Sequence, residues 1–292
     1  MPVLFLLLML SASTATALAQ TSTPTATPVR VLSFNIRYNN PGDSIHAWPN
    51  RKDWVAGLIR FHDADLVGVQ EALKKQVDTL AARLPGYGWF GVGRDDGQEA
   101  GEFSAVFYRE SRFEVLEEGT FWLSETPDSV GSTGWDAALP RVVTWGRLRD
   151  RMSGETFAFF NTHFDHRGQE ARLESARLIR TRLGEMAGDL PFVLTGDFNT
   201  TEDAPPYAAL TDDDDEAITL SDAYYATQTP PYGPKATFHG FVVTETPGAR
   251  IDYIFVSEDV RVLRYGALSD QWLGRYPSDH LPVLADVVIG AD

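Results

Sequence analysis

The chain contains short apolar runs that each end on a polar side chain. Residues 29–37 (VRVLSFNIR) alternate between the two sides of a predicted strand, and Asn35 lies near its end. Residues 65–71 (DLVGVQE) predict a second buried strand, which ends on Glu71. A carboxylate there must be paired, hydrated or metal-bound, because an isolated buried charge is too costly. Metal ligation is the preferred interpretation for Glu71, whereas Asn35 fits either a site or a buried structural hydrogen bond.

Two later runs carry several polar groups each. Residues 193–199 (VLTGDFN) end in Asp197 and Asn199, which lie on the same side of an extended backbone because they are two positions apart. The same spacing places three polar residues on one face of residues 156–166, namely Asn161, His163 and Asp165. A lone histidine is usually structural, but three polar groups at one strand end favour a site. His166 belongs either to that site or to the following turn.

The remaining pattern predicts further helices and strands. Apolar residues at helical spacing predict helices over residues 48–61, 73–84 and 168–187, with a short helix within residues 200–210. Apolar and alternating runs between turn residues predict strands over residues 87–94, 103–109, 113–124, 142–149, 250–257, 260–268 and 283–289. Residues 232–241 are predicted to form a loop or an edge strand.

Loops between these elements hold candidate functional residues. Residues 124–140 form a long segment that includes Trp135 and leads into Arg141, and loops of that length are often functional. Arg141 fits either a salt bridge at the surface or a clamp on phosphate. Asp279 and His280 precede the last strand, where ordinary turn chemistry is the alternative to a role in a site.

The composition indicates a substantial core, and the first residues of the sequence indicate an exported protein. The 292 residues are 43% hydrophobic and 12% aromatic, which is enough for a large core. Residues 1–19 resemble a signal peptide, and residues 20–28 form a Thr/Pro linker, so a single domain is expected over residues 29–292. A short membrane anchor is the alternative, but its strongly apolar part is too short to span a bilayer. We therefore expect export to the periplasm or the exterior, with no transmembrane segment in the mature chain.

Charge and cysteine content narrow the classes of function. The net charge of −16 disfavours tight binding of nucleic acid, although it leaves a metal-dependent nuclease open. The sequence has no cysteine, which excludes disulfides, thiol nucleophiles and zinc-thiolate sites. The acidic run at residues 212–216 (DDDDE) lacks the spacing of a calcium loop and is interpreted as a solvated turn.

The polar groups at the ends of the strands suit a single chemistry. They are Asn35, Glu71, His163, Asp197, Asn199, Asp252, Asp279 and His280. Carboxylates can hold Mg²⁺ or Mn²⁺ while histidine stabilises or protonates oxygen, as metal-assisted attack of water on phosphorus requires. The sequence has no nucleophile elbow, no P-loop lysine and no HExxH motif. Direct attack by water is therefore preferred over a covalent intermediate.

The chain from Val29 onward resembles the endonuclease/exonuclease/phosphatase superfamily. The matching motifs occur in the family's order: SFNIR, GVQEA, GEFSAVFYR, NTHFDH, TGDFN, RIDYIF and SDHLPV. The resemblance implies an α/β fold, a four-layer α/β sandwich in which two mixed, mainly antiparallel β-sheets pack face to face with helices outside. It also implies that Glu71 is the principal metal ligand, with Asn35 beside it and Asp279 as a further ligand.

The resemblance also implies catalytic roles. Asp197 corresponds to the group that activates or orients water, and Asn199 to the group that holds the scissile phosphate. His280 resembles the histidine that stabilises the transition state, kept cationic by Asp252, and His163 resembles a second histidine that contacts phosphate.

Less specific matches concern the second histidine and the substrate. Glu102 lies where some nucleases of the family carry an acid paired with that histidine, and Arg141 lies where some carry a phosphate-binding arginine. Trp135 and His239 are assigned to the loops that bind substrate.

The leading hypothesis is an exported, monomeric phosphoesterase that uses Mg²⁺ or Mn²⁺ and acts on a small phosphorylated metabolite, a sugar phosphate or a lipid headgroup. One alternative keeps the chemistry but makes the protein a secreted nuclease that acts on DNA or RNA. A second alternative is a non-catalytic binding module on the same fold, which the complete set of site residues disfavours.

Overall fold

A computed structural model describes residues 27–212, 218–242 and 248–290. The predicted signal peptide, most of the linker and residues 213–216 of the acidic run lie outside the described residues. The strands are β1 (Val29–Asn35), β2 (Leu66–Gln70), β3 (Ala72–Leu73), β4 (Tyr87–Phe90), β5 (Glu102–Phe103), β6 (Val106–Arg109), β7 (Phe113–Trp122), β8 (Val142–Asp150), β9 (Thr156–His163), β10 (Phe192–Asp197), β11 (Ser221–Asp222), β12 (Asp252–Val256), β13 (Val260–Ala267) and β14 (Val283–Ile289). The helices are α1 (Trp48–Phe61), α2 (Lys74–Arg83), α3 (Gln169–Ala187), α4 (Pro205–Thr211) and α5 (Ala223–Ala226), preceded by a 3₁₀ helix at Pro41–His46.

The described strands form two six-stranded mixed sheets. The first sheet has the order β13-β14-β1-β2-β6-β4, and the second has the order β11-β12-β10-β9-β8-β7. Each sheet has one parallel pair near its centre, β1 with β2 and β9 with β10, whereas the other pairs are antiparallel. A separate pair joins β3 to β5. Two mixed sheets with helices confirm the predicted four-layer α/β sandwich.

Three apolar layers hold the sandwich together. The central layer joins the two sheets, with Val31 of the first sheet in the same cluster as Phe159 and Val193 of the second. On the outside of the first sheet, α1 buries the stripe predicted from its helical spacing, including Val55 and Ile59. The outer face of the second sheet packs against α3. Removing this apolar surface from water is the main source of stability, at about 25 cal/mol per Å².

The centre of the interface between the sheets is polar. Asn161 of β9 donates from Nδ2 to the carbonyl oxygens of Val69 and Ala105, each at 3.0 Å. Its Oδ1 accepts from Gln70 Nε2 at 2.7 Å and from Thr195 Oγ1 at 3.0 Å. All of these groups are fully buried. Asn161 therefore satisfies its whole hydrogen-bonding capacity by joining strands of both sheets.

The close approach of the two sheets requires a glycine at position 68. A Cβ placed on Gly68 would lie 2.2 Å from Thr195 Oγ1 and 2.5 Å from Asn161 Oδ1. Atoms of a side chain cannot approach so closely, so β2 needs glycine at this position. The polar contacts between the sheets depend on that close approach.

Several predicted elements differ in detail from the observed ones. The strand predicted over residues 87–94 ends at Phe90, because Gly91 has a φ of 128° and leaves the extended conformation. The strand predicted over residues 103–109 is divided into β5 and β6. Residues 232–241 contribute only isolated bridges, at Tyr232 and Phe238. Within the described ranges, no helix is both long and apolar enough to cross a membrane.

Candidate active site

The topology brings the ends of four central strands to one edge. In each parallel pair the two carboxyl ends lie side by side, so Asn35 ends β1 beside Gln70 of β2, and His163 ends β9 opposite Asp197 of β10. Glu71 follows β2 directly. On the other side of β10, the antiparallel strand β12 begins with Asp252 opposite Asp197. Residues that are far apart in the sequence therefore meet at this edge.

Three non-glycine residues at this edge have left-handed backbone conformations. The φ angles are 57° at Arg37, 63° at Glu71 and 46° at Asn199. Such residues cost free energy and cluster at functional sites, where the surrounding structure holds them in place. At each of the three positions the chain leaves a strand and bends sharply, which turns the side chain toward the cavity described below.

Glu71 and Asn35 form the first part of the site. Asn35 Nδ2 donates to Glu71 Oε1 at 3.1 Å and to Asp197 Oδ2 at 2.9 Å. The backbone N–H of Tyr38 donates to Glu71 Oε2 at 3.0 Å. Asn35 Oδ1 accepts one bond, from the backbone N–H of Arg37 at 3.0 Å, and so retains one free lone pair.

Asp197 lies at the centre of the site and is almost fully buried. Its Oδ1 accepts from the backbone N–H of Asn199 at 2.9 Å. Burial, reinforced by the negative charge of Asp252, raises the pKa of Asp197 to about 7, although His280 opposes this rise. A carboxylate with this pKa can both accept and return a proton near neutral pH.

His280 and Asp252 form a buried pair. His280 Nδ1 lies 2.9 Å from Asp252 Oδ2, and His280 Nε2 lies 3.8 Å from Asp197 Oδ2. Burial alone would lower the pKa of His280, but the charges of Asp252 and Asp197 outweigh it and raise that pKa to about 10. The backbone N–H of Asp252 donates to Thr237 Oγ1 at 3.1 Å, which fixes the start of β12. His280 is therefore an imidazolium at neutral pH.

His163 has the opposite character. Asn199 Nδ2 donates to the carbonyl oxygen of Phe164 at 3.1 Å, which fixes the orientation of the amide. The same Nδ2 lies 3.1 Å from His163 Nε2, so that nitrogen must be the acceptor and the proton is on Nδ1. Burial, followed by the charge of Arg141, holds the pKa of His163 well below its usual value. The neutral ring points Nδ1 toward Glu102 Oε2, at 3.8 Å.

Arg141 is a buried cation with unused capacity. It is 3% exposed, and its Nε lies 3.4 Å from Asp165 Oδ2. Its Nη2 lies 3.0 Å from His166 Nδ1, while Nη1 has no hydrogen-bond partner among the described residues. An unsatisfied N–H of a buried guanidinium is costly unless an anion binds there.

The donors near Glu71 suit a divalent cation. Ligand atoms of Glu71, His163 and Asp197 lie within 4.8 Å of one another, as do those of Asp197, Asp252 and His280. Neither histidine offers a lone pair, because Nε2 of His163 accepts from Asn199 and His280 is protonated. Oxygen ligands remain, and these are the ligands that Mg²⁺ and Mn²⁺ prefer.

The acids of the site are crowded. Burial and the charge of Glu71 raise the pKa of Glu102 and of Asp279. Asp279 is also near a cation, since Arg37 Nε lies 3.8 Å from its Oδ2. Buried carboxylates that resist ionisation are stabilised by a bound cation, so the residues present fit the predicted metal site around Glu71, Asn35 and Asp279.

Most of the site groups line a cavity of about 620 Å³, although Asn35 and Asp252 are not part of its wall. The rest of its wall includes Arg37, Tyr38, Leu139, His166, Phe238 and Ile251. The ring centroid of Phe238 lies 5.0 Å from that of His280. The cavity wall thus combines many charged groups with a few aromatic and apolar ones.

Two residues assigned to the substrate loops lie elsewhere in the described structure. Trp135 is not part of the cavity wall, and its backbone N–H donates to Glu125. His239 is also absent from the wall, and its ring lies 4.4 Å from that of Tyr276. Burial lowers the pKa of His239 to about 4, and neither of its ring nitrogens has a hydrogen-bond partner among the described residues. Its backbone N–H donates to the carbonyl oxygen of Asp279 at 3.0 Å, so this residue contacts the site through its main chain.

One buried residue of α1 joins two segments that carry site residues. Arg51 is 1% exposed and donates to backbone carbonyl oxygens of Ile36, Arg37, Tyr38, His46 and Pro277. It therefore fixes the segment after Asn35 and the segment before Asp279. No local pattern around Arg51 indicates these acceptors, which come from distant parts of the chain.

The chain is similar in sequence and in structure to known proteins. A profile of the Endonuclease/Exonuclease/phosphatase family matches residues 32–280. A Bacteroides vulgatus protein of that family is 44% identical, with a TM-score of 0.85 over 90% of this chain and 99% of that one. The mannosyl-6-phosphatase of Bacteroides thetaiotaomicron is 41% identical, with a TM-score of 0.83 over 89% of this chain and 100% of that one.

A more distant structure shares the fold. The catalytic domain of human Nocturnin is 22% identical, with a TM-score of 0.70 over 90% of this chain and 94% of that one. The match over residues 32–280, together with the similarity to the two Bacteroides proteins, shows that the chain belongs to the Endonuclease/Exonuclease/phosphatase family and is a phosphoesterase.

Proposed function

We propose that the protein is an exported phosphomonoesterase that uses Mg²⁺ or Mn²⁺ and removes the terminal phosphate of a small metabolite, with sugar phosphates as the preferred class. The observation that carries this proposal is the Nη1 of buried Arg141 in the cavity wall, which has no hydrogen-bond partner in the part of the chain that the structure describes. A monoester is a dianion with three non-bridging oxygens, whereas a diester is a monoanion with two. A monoester therefore makes fuller use of a buried guanidinium beside an imidazolium.

Each residue has a chemical task in the proposed reaction. Asp197 accepts the proton of the attacking water, since its pKa of about 7 suits a general base. His280, cationic and 3.8 Å from Asp197, stabilises the charge that develops on the phosphoryl oxygens. Arg141 orients the phosphate, while Asn199 orients the ring of His163 through its Nδ2. A divalent cation held by Glu71, with Asn35 and Asp279, would neutralise phosphate charge when bound.

The class of substrate is supported by three observations. The similar mannosyl-6-phosphatase acts, by its name, on a sugar phosphate. A cavity of about 620 Å³ has the volume of a pocket for a small molecule. The net charge of −16 opposes association with a polyanion such as DNA. Export is supported by the signal-like residues 1–19.

Phosphate release with Mg²⁺ or Mn²⁺ tests the proposal. The panel comprises mannose 6-phosphate, glucose 6-phosphate, glycerol phosphate, bis(p-nitrophenyl) phosphate, single-stranded DNA and RNA. We expect hydrolysis of the monoesters, lost in Asp197→Ala and His280→Ala while the circular dichroism spectrum is retained. Hydrolysis of nucleic acid or the diester in preference to every monoester would refute the monoesterase proposal. Cell fractionation of the full chain tests export separately.

A further inference from the structure

The cavity wall contains a histidine that the proposed reaction does not use. His166 belongs to the motif NTHFDH, three residues after His163, and it lines the cavity next to Arg141. Its side chain is exposed at the cavity rather than buried with the catalytic groups. The question is which part of a substrate it contacts.

The hydrogen bond from Arg141 determines which ring nitrogen of His166 carries the proton. Arg141 Nη2 lies 3.0 Å from His166 Nδ1, and a guanidinium can only donate. Nδ1 of His166 is therefore the acceptor, and the proton of the neutral ring is on Nε2. Among the described residues, Nε2 has no hydrogen-bond partner, so this N–H is free to bind a ligand.

The turn that carries His166 is held on both sides. Asp165 Oδ1 accepts from the backbone N–H groups of Arg167 and Gly168, each at 2.8 Å. The carbonyl oxygen of Asp165 accepts from Arg172 Nη1 at 2.9 Å. A Cβ on Gly168 would lie 2.5 Å from Asp136 Oδ1, so the turn also packs closely against the preceding loop. His166 is thus exposed but oriented before substrate binds, which lowers the entropic cost of a contact.

We propose that His166 forms a subsite for the alcohol half of the substrate, where its Nε2–H donates to a hydroxyl oxygen of a polyol or sugar. This inference rests on the proposed phosphomonoesterase function. The phosphate is bound by the buried and charged Arg141, whereas His166 is neutral and exposed. A neutral donor beside the phosphate site is suited to an uncharged acceptor close to the ester bond.

Two substrates of similar shape separate this contact from phosphate binding. Glucose 6-phosphate carries ring hydroxyls, and cyclohexylmethyl phosphate presents a ring of the same size without them. In His166→Ala, the change in kcat/KM for cyclohexylmethyl phosphate measures the effect on Arg141 of losing the imidazole that accepts its hydrogen bond. We expect the ratio of kcat/KM values, glucose 6-phosphate over cyclohexylmethyl phosphate, to fall by about tenfold, as for one neutral hydrogen bond. The loss that is specific to glucose 6-phosphate should appear as a higher KM, with little change in kcat.

Two further variants complete the test. His166→Gln retains an acceptor for Arg141 and a donor, and should restore part of the ratio. Arg167→Gln changes a neighbouring exposed side chain that is outside the cavity wall, and should leave the ratio unchanged. An unchanged ratio in His166→Ala, with wild-type activity on both substrates, would overturn the subsite alone. A wild-type enzyme that hydrolyses neither monoester would overturn the proposed function and the subsite with it.

Discussion

Gln70 of the first sheet donates to Asn161 of the second sheet at 2.7 Å, at a point where neither residue is exposed. Gln70 immediately precedes Glu71, and Asn161 lies two residues before His163. Thr195, which also donates to Asn161, lies two residues before Asp197. This buried junction therefore sets the relative positions of the metal side and the phosphate side of the site.

Replacing Asn161 should destabilise the fold strongly. Asn161→Ala removes the partner of two carbonyl oxygens, one amide and one hydroxyl, all of them buried. We expect the free energy of unfolding in urea to fall by about 2 to 4 kcal/mol. Thr181→Ala is the control, since its exposed hydroxyl bonds within α3 and should contribute less than about 0.5 kcal/mol. Equal losses of unfolding free energy in the two variants would show that the buried contacts of Asn161 do not stabilise the fold as expected.

The pH dependence of activity should report the pair formed by His280 and Asp252. His280 acts as a cation, so kcat/KM should fall as pH rises through its folded-state pKa of about 10. Asp252→Asn removes the charge that opposes the effect of burial, so the alkaline fall should move to lower pH. Rate measurements between pH 6 and pH 11, roughly the span over which this histidine titrates, check the shift. A fall at the same pH in both enzymes would show that another group is responsible.

The same pair links stability to pH. The folded-state pKa of His280, about 10, exceeds its ordinary value of 6.5. The stabilisation from its proton is therefore fully present below pH 6.5 and is lost as pH rises through about 10. We expect the unfolding free energy of the wild type to decline over this range, with a smaller decline in Asp252→Asn. Urea titrations of the metal-free proteins at a series of pH values measure both slopes.

Divalent metal should stabilise the folded protein. The crowded carboxylates near Glu71 repel one another, and a ligand that binds only the folded state adds about 2.7 kcal/mol at 100 times its Kd. Mn²⁺ should raise the Tm of the wild type and EDTA should reverse the rise, whereas Glu71→Gln should show little response. Asp286→Asn is the control, because Asp286 pairs with Arg30 and Arg264 away from the cavity. If Mn²⁺ raised the Tm of Glu71→Gln as much as that of the wild type, the metal would have to bind to other residues.

Arg51 should affect the metal side selectively. Arg51→Lys cannot donate to all five carbonyl oxygens, so the segments beside Asn35 and Asp279 lose their common tether. We expect half-maximal activity to require about tenfold more Mn²⁺, with a nearly unchanged KM at saturating metal. Titration of activity with Mn²⁺ at two substrate concentrations separates the two effects. A raised KM without a change in the metal requirement would contradict this role.

The sequence alone predicts those residues of the site that directly follow buried strands. Glu71 and Asp197 are recognisable because an acid after an apolar run needs a partner, and the structure places both beside Asn35. Their meeting point depends on which strands are parallel neighbours, which hydrophobic patterns do not specify. His239 shows the limit, because its backbone contacts Asp279 while its ring packs against Tyr276. The path of the loop, rather than the residue type, decides which side the ring occupies.

Long-range contacts of single residues were harder to predict. Arg51 has the sequence context of a helix residue, and its acceptors are defined only once three separate segments fold around it. Asn161 shares a strand face with His163, yet it bonds across the interface between the sheets instead of entering the cavity. In both cases the decisive partners are backbone or amide groups, which are present everywhere in a sequence and carry no pattern.

The pairing of β1 with β14 has a consequence for how the active site assembles. Val29 and Ser33, near the start of the described chain, lie opposite Val287 and Val283 of β14. Asp279 and His280 lie shortly before β14 in the sequence. Until β14 has paired with β1, the first sheet is incomplete and these two side chains are not held in the site. Hydrolysis of phosphate should therefore require both of these distant segments, and a fragment that ends before Asp279 should be inactive.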